Sequence, residues 1–319
     1  MKPRQLSQEL STDIPQDMRD RFSVMEDGHR APASQVSEAV TQLGKKDKKS
    51  SKKKSKVELP PPLKVASAPL SAALEVPHRN LGVGSYQVGE KLTYTISYLG
   101  IAAGQVELEV LPFKNVNGRK VFHFFGHATS APVFSLVYRL NDTIESFVDF
   151  DGLFSHRFHL VLDERKQQRD SIELYDSEKK KTFYWSRWEY PDHSKKEEKQ
   201  TADMPAFPQD SLSALFYLRG VPLEDHTEVA FPLVTEGKSS EVVCVVVKRE
   251  SVRTPLGKTM AVVVRPDVKS QGILKKTGDS FIWFTDDARR LPVRMEARVR
   301  VGTVAADLVK VEQAAIQGQ

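Results

Sequence analysis

The densest collection of reactive side chains lies between Trp283 and Pro292, where Asp286, Asp287, Arg289 and Arg290 follow Trp283 closely. Two carboxylates and two guanidiniums this near each other form a charge-paired turn between strands, and Pro292 suits the start of the second strand. The same stretch offers a carbohydrate or phosphate contact through Trp283, Arg289 and Arg290. Asp279, Asp286 and Asp287 supply too few oxygens for a hard cation, so no metal site is assigned. His123 and His127 are an even number of residues apart and share a strand face, but no third ligand falls at a convincing spacing. They read as ordinary strand histidines, while His156 and His159 should face opposite ways. Ser211 and Ser213 lack a Gly-x-Ser-x-Gly elbow and read as helix-capping residues. Cys244 sits in an unbroken Val242–Val247 run and reads as a buried, inert thiol. No Walker loop, dinucleotide fingerprint or zinc motif occurs. The sequence therefore names no catalytic residue and no cofactor.

These side chains need a frame, and only Pro208–Arg219 within it reads plainly as helix. Asp210 is a good N-cap, Leu212, Leu215 and Phe216 recur at helical spacing, and Gly220 and Pro222 end the run. Arg219 closes that helix at the favourable pole of its dipole. It is placed to reach Asp149, Glu90 or Asp210 as an ion pair fixing helix to sheet, or to anchor an anionic head group. On both sides of the helix the period is two. Leu92, Tyr94, Ile96 and Tyr98 alternate with Thr93, Thr95 and Ser97, and Asn117-Gly118 marks a two-residue hairpin. Val133–Tyr138 is expected as a strand, Tyr190–Thr201 as a surface loop and Gly100–Gly104 as a tight turn or bulge. About a dozen strands joined mostly by short turns must pair antiparallel, and a sheet that wide curls, splits or closes. The expected fold is mainly β: a curved sheet or partly open barrel with one short helix at its opening, a sandwich being second. If such a barrel is too wide to fill, Tyr94 and Tyr98 would line an apolar cavity.

Charge separates the chain into parts. Residues 1–80 carry 15 Lys/Arg against 10 Asp/Glu, while residues 81–319 carry 32 of each. The β domain, 81–312, is therefore neutral and has no electrostatic basis for specific nucleic-acid binding. Residues 1–80 are expected as a disordered tail, Lys-rich over 45–56 and Pro-rich over 60–77, and 313–319 as a disordered end. Lys45, Lys46, Lys48, Lys49, Lys52, Lys53, Lys54 and Lys56 form a candidate tether to a polyanion such as an anionic membrane surface. No apolar run is long enough to span a bilayer, and the first 30 residues lack the apolar core of a signal peptide.

Several pieces together resemble a bacterial family known as domain of unknown function 3108. They are Gly89–Tyr94, Ala103-Gly104, Asn117–Arg119, Asp210–Arg219, Thr254–Gly257 and Ile282–Val293. The resemblance covers roughly residues 85–311. It implies a β protein of a Gram-negative envelope, periplasmic or associated with the outer membrane, and implies no catalytic residues; a cytoplasmic location is the alternative.

The expectation is a non-enzymatic envelope protein binding an apolar or amphiphilic ligand (lipid or envelope polymer) or a protein partner. The candidate ligand contacts are Trp283, Arg289, Arg290, Arg219, Tyr94 and Tyr98. The alternatives are an enzyme on envelope polymer, with Asp286, Asp287 or Glu90 as acid and base, and a scaffold without ligand.

Overall fold

Alternating side chains and short Gly- or Asn-bearing turns give a meander, seen in a computed structural model. It describes residues 14–27, 76–77, 79, 85–136, 138–270, 273–275, 280–299 and 301–313. The chain divides into one unit of residues 1–29 with 76–319 and another of 30–75, which lies outside the described residues with all eight tether lysines. The elements in order are α1 (Gln16–Arg21), β1 (Met25–Glu26), β2 (Lys91–Tyr98), β3 (Ile101–Val116), β4 (Arg119–Ser130) and α2 (Pro132–Ser135). Then come β5 (Asn141–Asp149), β6 (Ser155–Asp163), β7 (Gln168–Asp176), β8 (Lys181–Glu189), β9 (Lys195–Asp203) and α3 (Ser213–Gly220). The chain finishes with β10 (Glu228–Thr235), β11 (Lys238–Thr254), β12 (Gly257–Ser270), β13 (Ile273–Lys275), β14 (Ser280–Thr285), β15 (Pro292–Arg298) and β16 (Thr303–Glu312).

The sixteen strands among the described residues belong to one antiparallel sheet, whose main path runs β10-β11-β12-β14-β15-β16-β2-β3-β4-β5-β6-β7-β8-β9. The strand β1 adds to β3 beyond the end of β2, and β13 adds to β12. Asn117 and Gly118 both take positive φ, 55° and 71°, the pair a type I′ hairpin turn requires. Leu99 and Gly100 do the same at the β2–β3 turn. Of Gly100–Gly104, expected as a tight turn or a bulge, only Gly100 is in the turn, and Ile101–Gly104 already belong to β3, where the register slips opposite Ile96 and Ser97.

The sheet curls without closing. Its two edges are β9 and β10, and they approach through the segment that precedes α3. Gln209 donates its backbone N–H to Pro232 O at 2.8 Å, and Val234 N–H returns a bond to Gln209 O at 2.9 Å. Gln200 reaches Gly237 O, and Glu173 accepts from the backbone N–H groups of Glu236 and Gly237. The result is the mainly β, partly open barrel that the patterning calls for.

The concave face holds a cluster that joins Leu92, Tyr94, Leu108, Phe122 and Phe124 to Ala261, Leu291 and Val293. Residues six strands apart in the sheet order can share a cluster only where the sheet bends around them. The helix α3 lies against this face rather than at a rim. Leu212 and Phe216 enter that cluster, Leu218 enters a second with Phe231, Val242, Cys244 and Phe284, and Phe216 stacks on Phe124 at 3.8 Å between centroids. Aromatic side chains and the helix pack against one another on the inside.

The structure corrects several expectations. Residues 14–27 are not part of a disordered tail: Ile14 and Phe22 are buried on the outer face of the sheet with Val116, Val121, Phe147, Ile172, Leu174, Phe183 and Trp185. Pro132–Ser135 is a helical turn, because Pro132 at its first position fixes a helical φ and removes a ladder donor. Lys195–Asp203 is an edge strand rather than loop, held by Trp185 Nε1 donating to Glu197 and by Lys181 pairing with Asp203. The helix begins at Ser213, three residues after Asp210, although Asp210 still caps it.

Candidate functional site

The end of α3 brings together a part of the predicted set. Arg219 and Glu90 have fully or almost fully buried side chains and form a bidentate pair, Nη1–Oε1 at 2.6 Å and Nη2–Oε2 at 3.0 Å. Arg219 also donates to Ser85 O and, at 3.3 Å, to Arg289 O. Its guanidinium lies over the rings of Tyr86 and Phe216. Arg289 comes within 3.9 Å of Glu90. Tyr94 is beside them, its hydroxyl without a partner among the described residues and its pKa pushed far up by burial, against the opposing pull of Arg219. Of the three partners weighed for Arg219, Glu90 is the one it finds.

The rest of the set is dispersed. Trp283 donates from Nε1 to Glu250 at 2.8 Å, and Arg290 donates from Nη1 to Val221 O. Tyr98 is bonded to Val301 O near the β2–β3 turn, away from the α3 cluster. The Asp286–Asp287 pair does not join Arg289 and Arg290 by ion pairs. Asp286 accepts from Arg249 at 2.7 Å, while Asp287 accepts from Thr285 Oγ1 and from the backbone N–H groups of Arg289 and Arg290, which caps the turn. Asp279 lies outside the described residues.

Other buried acids are equally committed. Both oxygens of Asp210 are used: Oδ1 accepts from Leu212 N and Ser213 N, Oδ2 from Ser146 and Ser155 Oγ. Burial nevertheless raises its pKa above the ordinary aspartate value. Asp149 is fully buried between Arg119 and His156, with the Gly152 N–H on Oδ1. Burial alone would raise it, but Arg119, His156 and that N–H together hold it well below the usual range.

Sequence reasoning missed the outer face of β4–β7. There His123 Nε2 contacts Glu145 Oε1 at 2.9 Å, Glu145 Oε2 lies 3.5 Å from His159 Nδ1, and His159 Nε2 contacts Asp170 Oδ1 at 2.8 Å. This chain of imidazoles and carboxylates crosses four neighbouring strands. Burial works to lower His159, but Asp170 and Glu145 bring it above its usual pKa, and the two imidazoles hold Glu145 far below its own. His156 goes instead to Asp149, so His156 and His159 serve separate networks.

Beside that network, Arg157 donates from Nη1 to Phe22 O at 3.1 Å, and its buried Nε has no partner among the described residues. Arg157 lines a cavity of about 320 Å³ between α1 and the sheet, together with Ile14, Met18, Phe22, Val24 and Leu174. A second, polar cavity of about 240 Å³ lies at the β7–β8 end near Arg139, Glu164, Gln168 and Tyr190. Nothing in the polar run Ser155-His156-Arg157 singles Arg157 out in the sequence.

The sequence model of the family described as "Protein of unknown function (DUF3108)" matches residues 93–309. No curated protein matches this chain. Among solved structures it is similar to the β-barrel-like protein of domain of unknown function DUF1849 from Brucella abortus, at 13% identity and TM-score 0.47, over 75% of this chain and 100% of that one. A protein from Bacteroides fragilis NCTC 9343, titled as exported and with a YmcC-like fold, matches at 10% identity and TM-score 0.33, over 74% and 100%. A protein from Parabacteroides distasonis ATCC 8503, titled as a lipoprotein, matches with the same identity, TM-score and coverage.

Proposed function

The chain belongs to the DUF3108 family, and we propose that it is a non-enzymatic protein of the cell envelope that works by binding an amphiphilic ligand. The observation that carries this reading is the state of the three carboxylates the sequence offers as acid and base. Glu90 is consumed by Arg219, Asp286 by Arg249, and Asp287 by its own turn. An acid–base pair needs two carboxyls free to meet substrate across a cleft, and these three are fixed elsewhere. That favours binding over catalysis by these residues, and an apolar groove with a cationic wall between α1 and the sheet is a described surface suited to it.

The envelope location is supported by the family, whose resemblance implies export. The eight lysines between 45 and 56 would hold the protein against an anionic surface, each contributing about 1 kcal/mol close to the lipid. Native mass spectrometry of full-length protein purified from its own cells, before and after lipid extraction, tests the ligand. Extra mass that extraction removes is expected. A single unliganded mass together with turnover of envelope polymer would overturn the reading. Cell fractionation tests the compartment, with envelope recovery expected and a purely cytosolic pool refuting it.

A further inference from the structure

The amino-terminal segment is an addition to the outer face of the sheet. Its helix α1 has six residues, too few to be stable alone, and β1 contributes two residues to the sheet. It is held by Ile14 and Phe22, 3% and 1% exposed, pressed on the outer face against Leu174 and its neighbours, and by Arg21 paired with the buried Asp176 at 2.6 Å. Yet the fit is incomplete. Between the two layers remains a groove of about 320 Å³, partly open to solvent and roomy enough for an alkyl chain.

The chemistry of the lining points to an occupant. Ile14, Met18, Phe22, Val24 and Leu174 make its walls apolar, and the two charged residues on them, Arg19 and Arg157, are both cationic. Arg19 is engaged with Ile14 O. Arg157 has spent Nη1 on Phe22 O, but its Nε is buried and faces no acceptor among the described residues. A buried guanidinium N–H without an acceptor is costly, and a carboxylate is the group its planar fork fits best. Glu145 and Asp170, the acids nearest enough to act on Arg157, belong to the histidine network behind it and do not line the cavity.

We propose that this cavity is a binding site for a single-chain anionic amphiphile, an alkyl carboxylate, with Arg157 taking the head group and the α1 segment covering the chain. The site rests on the amphiphile-binding reading above and gives it a place and a charge. The inner face carries α3 and its aromatics instead. Occupation would also stabilise the segment, because ligand and Phe22 share the same arginine.

Isothermal titration of delipidated full-length protein with dodecanoate, below its micelle concentration, tests this. Dodecyltrimethylammonium, the cationic counterpart, and acetate, the head group alone, serve as comparisons. One dodecanoate per chain is expected, with neither comparison ligand competing. Arg157→Gln should weaken dodecanoate about tenfold or more, since a hydrogen bond to a charged group is lost, and Arg157→Lys should recover part of that loss. Ser23→Trp, at a half-exposed position of the lining, should obstruct the chain and weaken binding in a protein that still folds, so it decides the matter if Arg157→Gln does not fold. Dodecanoate binding unchanged by Arg157→Gln and Ser23→Trp would overturn the site and leave amphiphile binding standing. Equal binding of the cationic counterpart would overturn the charge assignment. Binding of neither amphiphile would overturn the site and the broader reading together.

Discussion

Replacing Arg219 by methionine strikes the junction of helix and sheet at its least solvated point. The substitution keeps the aliphatic contact with Tyr86 and Phe216 but removes the bidentate pair with Glu90 and the donors to Ser85 O and Arg289 O. Glu90 is then left as a charge with a side chain 2% exposed, and its nearest cation, on Arg289, is 3.9 Å away. Breaking one half of a buried pair costs about 3–5 kcal/mol. In a domain of this size that corresponds to a melting temperature lower by roughly 6–20 °C. Adding Glu90→Gln removes the stranded charge. What stays lost is the two carbonyl partners, at about 1 kcal/mol each, so the double variant should be about 2 kcal/mol below wild type and more stable than Arg219→Met alone. Urea unfolding of the four proteins, followed by near-ultraviolet circular dichroism, reads the cycle. A cost below about 1 kcal/mol for Arg219→Met, or two single effects that simply add, would refute the reasoning that this pair fixes the helix to the sheet.

Other consequences concern single groups. Asp210→Ala should cost more than Asp210→Asn in the same unfolding assay, by about 1 kcal/mol, because asparagine keeps an acceptor for the N–H groups of Leu212 and Ser213; equal costs would contradict the capping role. The folded pKa of Asp149 is depressed, so its stabilisation is present above the unfolded value of 3.8 and is lost as pH falls below it. Asp149→Asn should therefore lower the urea midpoint at pH 7 and flatten its acid dependence, and an unchanged acid limb would count against the Arg119–Asp149–His156 cluster. His159 is shifted the other way, and its contribution is complete below the unfolded value of 6.5 and disappears as pH rises through the higher folded value. An NMR titration should place His159 above 6.5 and find it lowered by Asp170→Asn; a value below 6.5 would mean that burial wins. The Cys244 thiol, pushed up to about 12 mainly by burial, should resist alkylation at pH 8 in the native protein and react at once in denaturant.

Much of this architecture could be read from the chain because the cues were local. The alternation in Leu92–Tyr98, the Asn117-Gly118 turn and the Asp210 cap each fix their neighbourhood within a few residues. The failures share a cause. Lys195–Asp203 has no apolar face, and its strand character comes from Trp185, Arg187 and Lys181 on the strand beside it. Ile14 and Phe22 look scattered because the surface that buries them is assembled from β3 to β8. The Val133–Tyr138 run was apolar enough for a strand, but Pro132 set its first turn helical. At the candidate site the same division holds. Arg219 advertised itself as a charge on an apolar helix, and its pairing with Glu90, 129 residues away, was within the expected choices. Arg157 had no such local contrast, since its importance comes from an unfilled Nε and a cavity that only the docked segment creates.

Whether the chain works through its outer face is tested most directly by photolabelling the full-length protein with a dodecanoate that carries a diazirine at its tail, followed by peptide mapping. Label on residues 14–24 and around Leu174, suppressed by unlabelled dodecanoate and by Arg157→Gln, is the predicted result. Label on the inner face, at Tyr94, Phe124, Phe216 or Trp283, would contradict it.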